Sequence, residues 1–181
     1  MRRLEQALRA PFSGAFRRDD DGAATIEFVV LFPLLIALLL SVFEAGWLMT
    51  RAMMLERGLD IASRDVRLGS ASALTHNGLK ATVCARSRIL RNCERDLILE
   101  VVPMNLAAAY PQNQPNCQDR TGVIEPTITF TPGGRDVIMF VRACMIVDPI
   151  FPGIGLGLQL PKDSSGGFQM VSYTAFMNEP I

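Results

Sequence analysis

Hydrophobic and polar positions divide this chain sharply. From Phe28 to Phe43 sixteen residues pass without a charge, and only Pro33 and Ser41 interrupt the aliphatic and aromatic side chains. Across 23–50 the only charges are Glu27 and Glu44. As a helix this stretch rises about 42 Å at 1.5 Å per residue, enough to cross a hydrocarbon core of roughly 30 Å. After Trp47 the pattern changes. Leu48, Ala52, Leu55, Leu59, Ala62 and Val66 recur at steps of three and four, which draws one apolar stripe. Arg51, Glu56, Arg57, Asp60, Arg64, Asp65 and Arg67 take most of the other faces, and Gly69 with Ser70 marks a stop. The two patterns join into one helix of about 45 residues, apolar all round in its first half and amphipathic in its second.

Beyond the helix the periods are shorter. SASALTHNG is a polar break, and LKATVCARSRIL predicts a second helix. LILEVVPM reads as a strand ended by Pro103, AAAYPQNQPNCQDRTG as a loop, and VIEPTITF as a strand confined to an edge by Pro126. TPGGRD is a turn. VIMFVRACMIV is apolar on both faces except at Arg142, so it is expected at the sheet centre. DPIFPGIGLGLQLPKDSSGG is expected as a long loop, its apolar part folding over the sheet as core in preference to dipping into the outer leaflet of a membrane or meeting another subunit, and FQMVSYTAFM as a last strand. The expected fold is α+β: a long N-terminal helix packed on a small, mostly antiparallel sheet of about four strands.

The division by segment is a polar leader over 1–22, a spanning helix over 23–50, its amphipathic continuation over 51–69, and an outer α+β domain over 70–181. A buried core helix of a soluble protein is the first alternative for the apolar segment, but so apolar a helix needs burial on every side. A signal peptide is the second. Cleavage after Ala45 would set Phe43 where a small side chain is wanted. Arg2, Arg3, Arg9, Arg17 and Arg18 precede the span, against Arg51 and Arg57 soon after it. By the positive-inside rule the N-terminus is cytoplasmic and the bulk of the chain lies outside.

Lys+Arg and Asp+Glu are both 18, a balance that leaves no electrostatic case for nucleic acid or an anionic surface. Cys84, Cys93, Cys117 and Cys144 all follow the span, an even number in a compartment where disulfides persist. Three connectivities are possible. Nearness in sequence favours Cys84–Cys93 with Cys117–Cys144. No CxxC and no zinc-ligand spacing is present, His76 is the sole histidine, and no phosphate loop appears, so nothing implies an enzyme, a metal or a cofactor. His76 is expected in a solvated loop, Glu44 and Trp47 at the outer membrane boundary, and Met49, Met53 and Met54 in helix packing. Pro33 removes one helix hydrogen bond and is expected to kink the span.

One motif remains. Gly22-Ala23-Ala24-Thr25-Ile26-Glu27-Phe28, set between an Arg-bearing leader and the apolar run, resembles the processing site of type IV prepilins. The helix EFVVLFPLLIALLL, the segments ATVCARSRILRNC and GRDVIMFVRACMIVDPIFP, and the C-terminal YTAFMNEP resemble the TadE-like pseudopilins of the tight-adherence (Flp/Tad) pilus system. The resemblance implies cleavage after Gly22 by a membrane-embedded prepilin peptidase, leaving Ala23 as the new N-terminus. It implies that Glu27, followed by the aromatic Phe28, pairs with the N-terminal amine of a neighbouring subunit and sets register. It also implies a minor, pilin-like inner-membrane subunit whose partners are the peptidase, other Tad pilins and pseudopilins, the assembly platform and membrane lipid. An unprocessed, signal-anchored periplasmic binding or scaffold protein is the competing expectation.

Overall fold

The computed structural model describes residues 21–69, 75–104, 117, 120, 129–131, 133–134 and 136–178. Its first element, α1, is a single helix of 47 residues, Asp21–Arg67. It continues through Pro33, whose missing N–H leaves the carbonyl of Val29 without its usual partner. The helix stops where the sequence runs into Gly69, which takes φ +72°. The Gly69 N–H turns back onto the carbonyl of Val66 at 2.9 Å, an ending that glycine permits cheaply.

The second helix, α2 (His76–Arg86), begins earlier and ends earlier than the expected stretch. Thr75 explains the start, because its extended backbone lets the side-chain oxygen accept from the Gly78 N–H. Ser87 marks the end. Its hydroxyl leaves α2 and donates to the Met54 carbonyl of α1 at 2.7 Å, tying the two helices together. Gly58 lets them come this close, since a Cβ there would stand 2.9 Å from the Val83 carbonyl oxygen. A short α3 (Cys93–Asp96) then leads into the sheet.

Three strands form that sheet among the described residues: β1 (Ile98–Met104), β2 (Ile138–Val147) and β3 (Phe168–Met177), in the order β1-β2-β3 and antiparallel throughout. The α+β class and the central place of VIMFVRACMIV are therefore as expected, with one strand fewer than expected. Of the VIEPTITF segment, 123–128 lie outside the described residues. Phe130 forms a parallel bridge to Val101, flanked by hydrogen bonds from Val101 N–H to Thr129 O and from Thr131 N–H to Val101 O. That segment touches the free edge of β1 without extending the antiparallel ladder.

One face of the sheet meets the helices. Leu99, Val101, Met139, Val141, Ala143, Met145, Val147 and Met170 pack with Leu48, Leu55, Leu59 and Ala62 of α1 and with Leu79 and Val83 of α2. The stripe read from the sequence is thus the buried stripe. At the centre of the opposite face lies Arg142, 3 % exposed, with its guanidinium on Glu100 directly across the β1–β2 ladder. Burying that charge is tolerable only with such a partner.

The apolar loop departs most from expectation. The loop sends Leu160 against the core but does not otherwise cover the sheet. It carries a short helix, α4 (Gly155–Gln159), and packs along α1. Gly155, at φ +54°, brings its backbone so close that a Cβ would stand 2.8 Å from the Ala37 carbonyl oxygen.

Candidate functional site

Two parts of α1 carry the candidate chemistry. The first is its N-terminal half. Gly22 and Ala23 lie in the first turn. Every described side chain from 24 to 35 is exposed, including Glu27 and Phe28, and the Phe28 ring rests 5.0 Å from that of Phe32. The span from Ala24 contains an 18-residue window of mean hydropathy 2.7, none of it buried within the chain. The helix is long and apolar enough to cross a membrane. An apolar surface of this extent, left uncovered by the described residues, needs lipid or another helix around it.

The second part is a neck where the helix enters its outer domain. Ser41, Glu44, Trp47 and Arg51 follow at steps of three, three and four, so they share one face. The returning loop docks on that face. Glu44 is completely buried and accepts from the backbone N–H groups of Ile150 at 3.0 Å and Phe151 at 2.8 Å. Ser41 accepts from the Leu156 N–H at 3.0 Å and donates to the Ala37 carbonyl at 2.6 Å. Arg51 lies over the Trp47 ring, 5.0 Å from its centroid, and donates to the Asp148 carbonyl at 3.0 Å. Burial pulls its pKa below the ordinary arginine value, an effect the nearby Glu44 opposes. Arg120 grips the Asp148 carboxylate through both Nη atoms, at 2.9 and 2.7 Å, and holds that carboxyl below its usual pKa.

The expectation for Glu44 is corrected here. It does not stand at an interface with water but replaces, for the loop, the backbone acceptors a helix or strand would have supplied. A carboxylate accepting two N–H groups makes its burial affordable. His76 is corrected as well. It opens α2, and its ring meets Phe130 edge-on at 5.8 Å. Met49 and Met53 are exposed on the single chain, 63 % and 64 %.

The cysteines are joined as Cys84–Cys93 and Cys117–Cys144, with Cα–Cα separations of 5.6 and 5.1 Å. The first ties α2 to α3, and the second fastens Cys117 to the centre of β2. They are remote in sequence from Gly22, Ala23, Glu27 and Phe28, and the fold does not gather the two sets into one site. Among the described residues, no cluster of three or more His, Cys, Asp or Glu side chains could hold a metal ion.

Residues 22–64 match the TadE-like protein family. The match starts at the glycine of the motif and ends inside the buried stripe of α1, so it covers both the exposed half-helix and the neck. No curated protein and no solved structure matches the chain. The TadE-like segment is therefore the part of the molecule that makes the longest apolar exposure, while the sheet is known by its fold alone. The family is one of pilus-associated structural proteins.

Proposed function

We propose that this chain is a pilin-like subunit of a Tad pilus, held in the inner membrane by residues 23–50 with 51–181 on the periplasmic side. The observation that supports this reading best is a coincidence of limits: the TadE-like match begins at Gly22, in the first turn of a helix whose side chains from 24 to 35 are all exposed. Processing after Gly22 removes the leader 1–22 and gives Ala23 a charged amine. In a bundle of such helices, Glu27 of one subunit meets the amine of another. An unpaired charge in that apolar setting is heavily penalised, so the pair fixes axial register.

The Gly22–Ala23 bond lies within the first helical turn, whereas a protease works on extended chain. Unwinding it costs little. The first four N–H groups of a helix have no partner in the helix, and glycine favours the coil by about 1 kcal/mol over alanine. The peptidase, other Tad pilins and pseudopilins and the assembly platform are the partners this route needs.

Intact mass of the membrane-extracted protein, with and without the host's prepilin peptidase, tests the reading. Loss of 1–22 that depends on the peptidase supports it. A full-length chain in both strains overturns processing and leaves a signal-anchored envelope protein. Glu27→Ala separates the two again: a pilin-like subunit inserts but no longer assembles, and an anchored scaffold is unaffected.

A further inference from the structure

Beside the neck a cleft of about 500 Å³ opens between α1, the 90–96 segment and the loop at 148–150. Four arginines line it, Arg51, Arg91, Arg95 and Arg120, against two acids, Asp96 and Asp148. Both acids are already engaged. Asp96 takes Arg95 at 2.7 Å, and Asp148 takes Arg120 at 2.7 Å. Glu44, two turns below Arg51 on the same face, is committed to the two backbone N–H groups of the loop. Arg51 gives one N–H to the Asp148 carbonyl and stands near Arg91, a second positive charge. Arg91 makes no hydrogen bond or ion pair among the described residues. The wall of the same cleft includes Trp47, whose indole Nε1 is buried with no hydrogen-bond partner among the described residues. An indole N–H is a donor only, and a buried donor without an acceptor asks for one.

The surroundings say what the acceptor is attached to. Ile150 on the rim is 42 % exposed, and Ile154 and Leu158 on the adjoining loop are 41 % and 58 % exposed. Below them runs the apolar half of α1. The Arg91 guanidinium, the Arg51 guanidinium with one N–H on the Asp148 carbonyl and the rest of its fork unused, and an indole donor therefore stand at the top of an apolar surface, the arrangement of a headgroup above its acyl chains. Arginine suits phosphate because its planar fork donates in pairs, and tryptophan suits the same depth because its ring is apolar and its N–H polar.

We propose that this cleft binds the phosphate of an anionic phospholipid in the outer leaflet. The Arg51 and Arg91 guanidinium groups and Trp47 Nε1 donate to the phosphate oxygens, and the acyl chains lie along Ile150, Ile154 and Leu158. The loop, clamped by Ser41 and Glu44, acts as the wall that keeps the chains beside α1. The proposal rests on the membrane reading given above.

The test uses the full chain in a neutral detergent, with native mass spectrometry of the retained lipid. Phosphatidylglycerol is titrated against phosphatidylcholine of the same chain length. The expected result is a preference for phosphatidylglycerol on the order of tenfold, as two arginines near a membrane surface supply. Arg91→Gln, an exposed side chain whose loss cannot unfold the protein, is expected to reduce that preference several-fold, and Arg51→Gln with Arg91→Gln to abolish it, while Arg91→Lys retains most of it. Equal retention of both lipids by the wild type overturns the proposal, as does an unchanged preference in the double variant. Inorganic phosphate that displaces the lipid at equal concentration would show that a free anion suffices and reject the lipid. Flotation with vesicles of phosphatidylcholine alone reports insertion of α1 separately. Flotation without lipid preference removes the headgroup site and leaves the anchor, whereas failure to float removes the membrane reading itself.

Discussion

The two halves of α1 share one helix and almost nothing else. From Ala24 to Leu35 every side chain is exposed, and this stretch has no partner among the described residues. From Glu44 to Ala62 the same helix buries Leu48, Leu55, Leu59 and Ala62 and carries the sheet and α2 on its back. A helix apolar on all sides is stable only when its surroundings are apolar on all sides, whereas one stripe suffices against a single domain. The first half is thus specified for a solvent or an assembly, and the second for a fold. The neck is where one requirement gives way to the other.

The sharpest way to break this comparison is to make the same substitution in both halves. Leu59→Ala, at a side chain 1 % exposed, is expected to cost about 2–5 kcal/mol by lost burial and a residual cavity. Leu35→Ala, at a side chain 56 % exposed, is expected to leave the melting of the detergent-solubilised monomer within about 0.5 kcal/mol of wild type. Thermal unfolding followed by circular dichroism measures both. A large effect of Leu35→Ala would show that the first half is also packed against its own chain, contrary to the division.

The junction itself comes next in size. Glu44→Ala leaves the Ile150 and Phe151 N–H groups without their acceptor at a fully buried position. Each such loss costs about 1–3 kcal/mol. The cost is expected to fall on the loop rather than on the sheet. Hydrogen exchange should accelerate across 150–158 while the amides of β2 keep their protection. Uniform acceleration would mean that the neck and the core open as one unit.

These particulars also show what was legible in the sequence. The stripe Leu48–Val66 was readable because a period near 3.6 reports a buried face whatever covers it. The central strand was readable from its unbroken apolar run, and the motif at Gly22–Phe28 from its place before the apolar segment. The neck was not. Ser41, Glu44, Trp47 and Arg51 were visible at helical spacing, but their partners are backbone N–H and carbonyl groups of 148–156, about a hundred residues on. Backbone groups leave no mark in a sequence. For the same reason the loop's docking on α1 was hidden: its apolar content asks for burial without saying against which surface. The short α3, following Asn92 in a left-handed conformation at φ 52°, had no periodic signal at four residues.

Two glycines on α1 sharpen the boundary further. Gly58 faces α2, and a Cβ there would press on Val83 O and on the Ser87 hydroxyl that ties the helices together. Gly46 meets nothing within 4 Å. Gly58→Ala is expected to destabilise by about 1–3 kcal/mol, because two backbones must separate. Gly46→Ala is expected to stabilise by roughly 0.5–1 kcal/mol, since alanine loses less freedom in a helix interior. The two opposite signs, read from denaturant midpoints of the monomer, arise from twelve residues' distance along one helix. A destabilising Gly46→Ala would indicate a neighbour at that face which the isolated chain does not provide.

The smallest expected effect concerns charge. The apolar half holds Glu27 as its one ionisable side chain before the neck, so its hold on its surroundings should change little with acidity. The neck differs, because Arg120 holds the Asp148 carboxyl below its ordinary value through their hydrogen bonds. A carboxyl with a depressed folded pKa contributes stability above its unfolded pKa, near 3.8. That contribution is lost as pH falls through the lower folded value. The Asp148 carboxylate is largely exposed, so solvent screening limits the pair to a few tenths of a kcal/mol, roughly. Comparing wild type with Asp148→Asn isolates it. The two should differ in midpoint near neutral pH and converge below the folded pKa of Asp148. Added salt should narrow the difference at neutral pH, because the charges are screened. A difference that persisted in acid would assign the effect of Asp148 to its packing against Arg51 and the loop, and not to its charge.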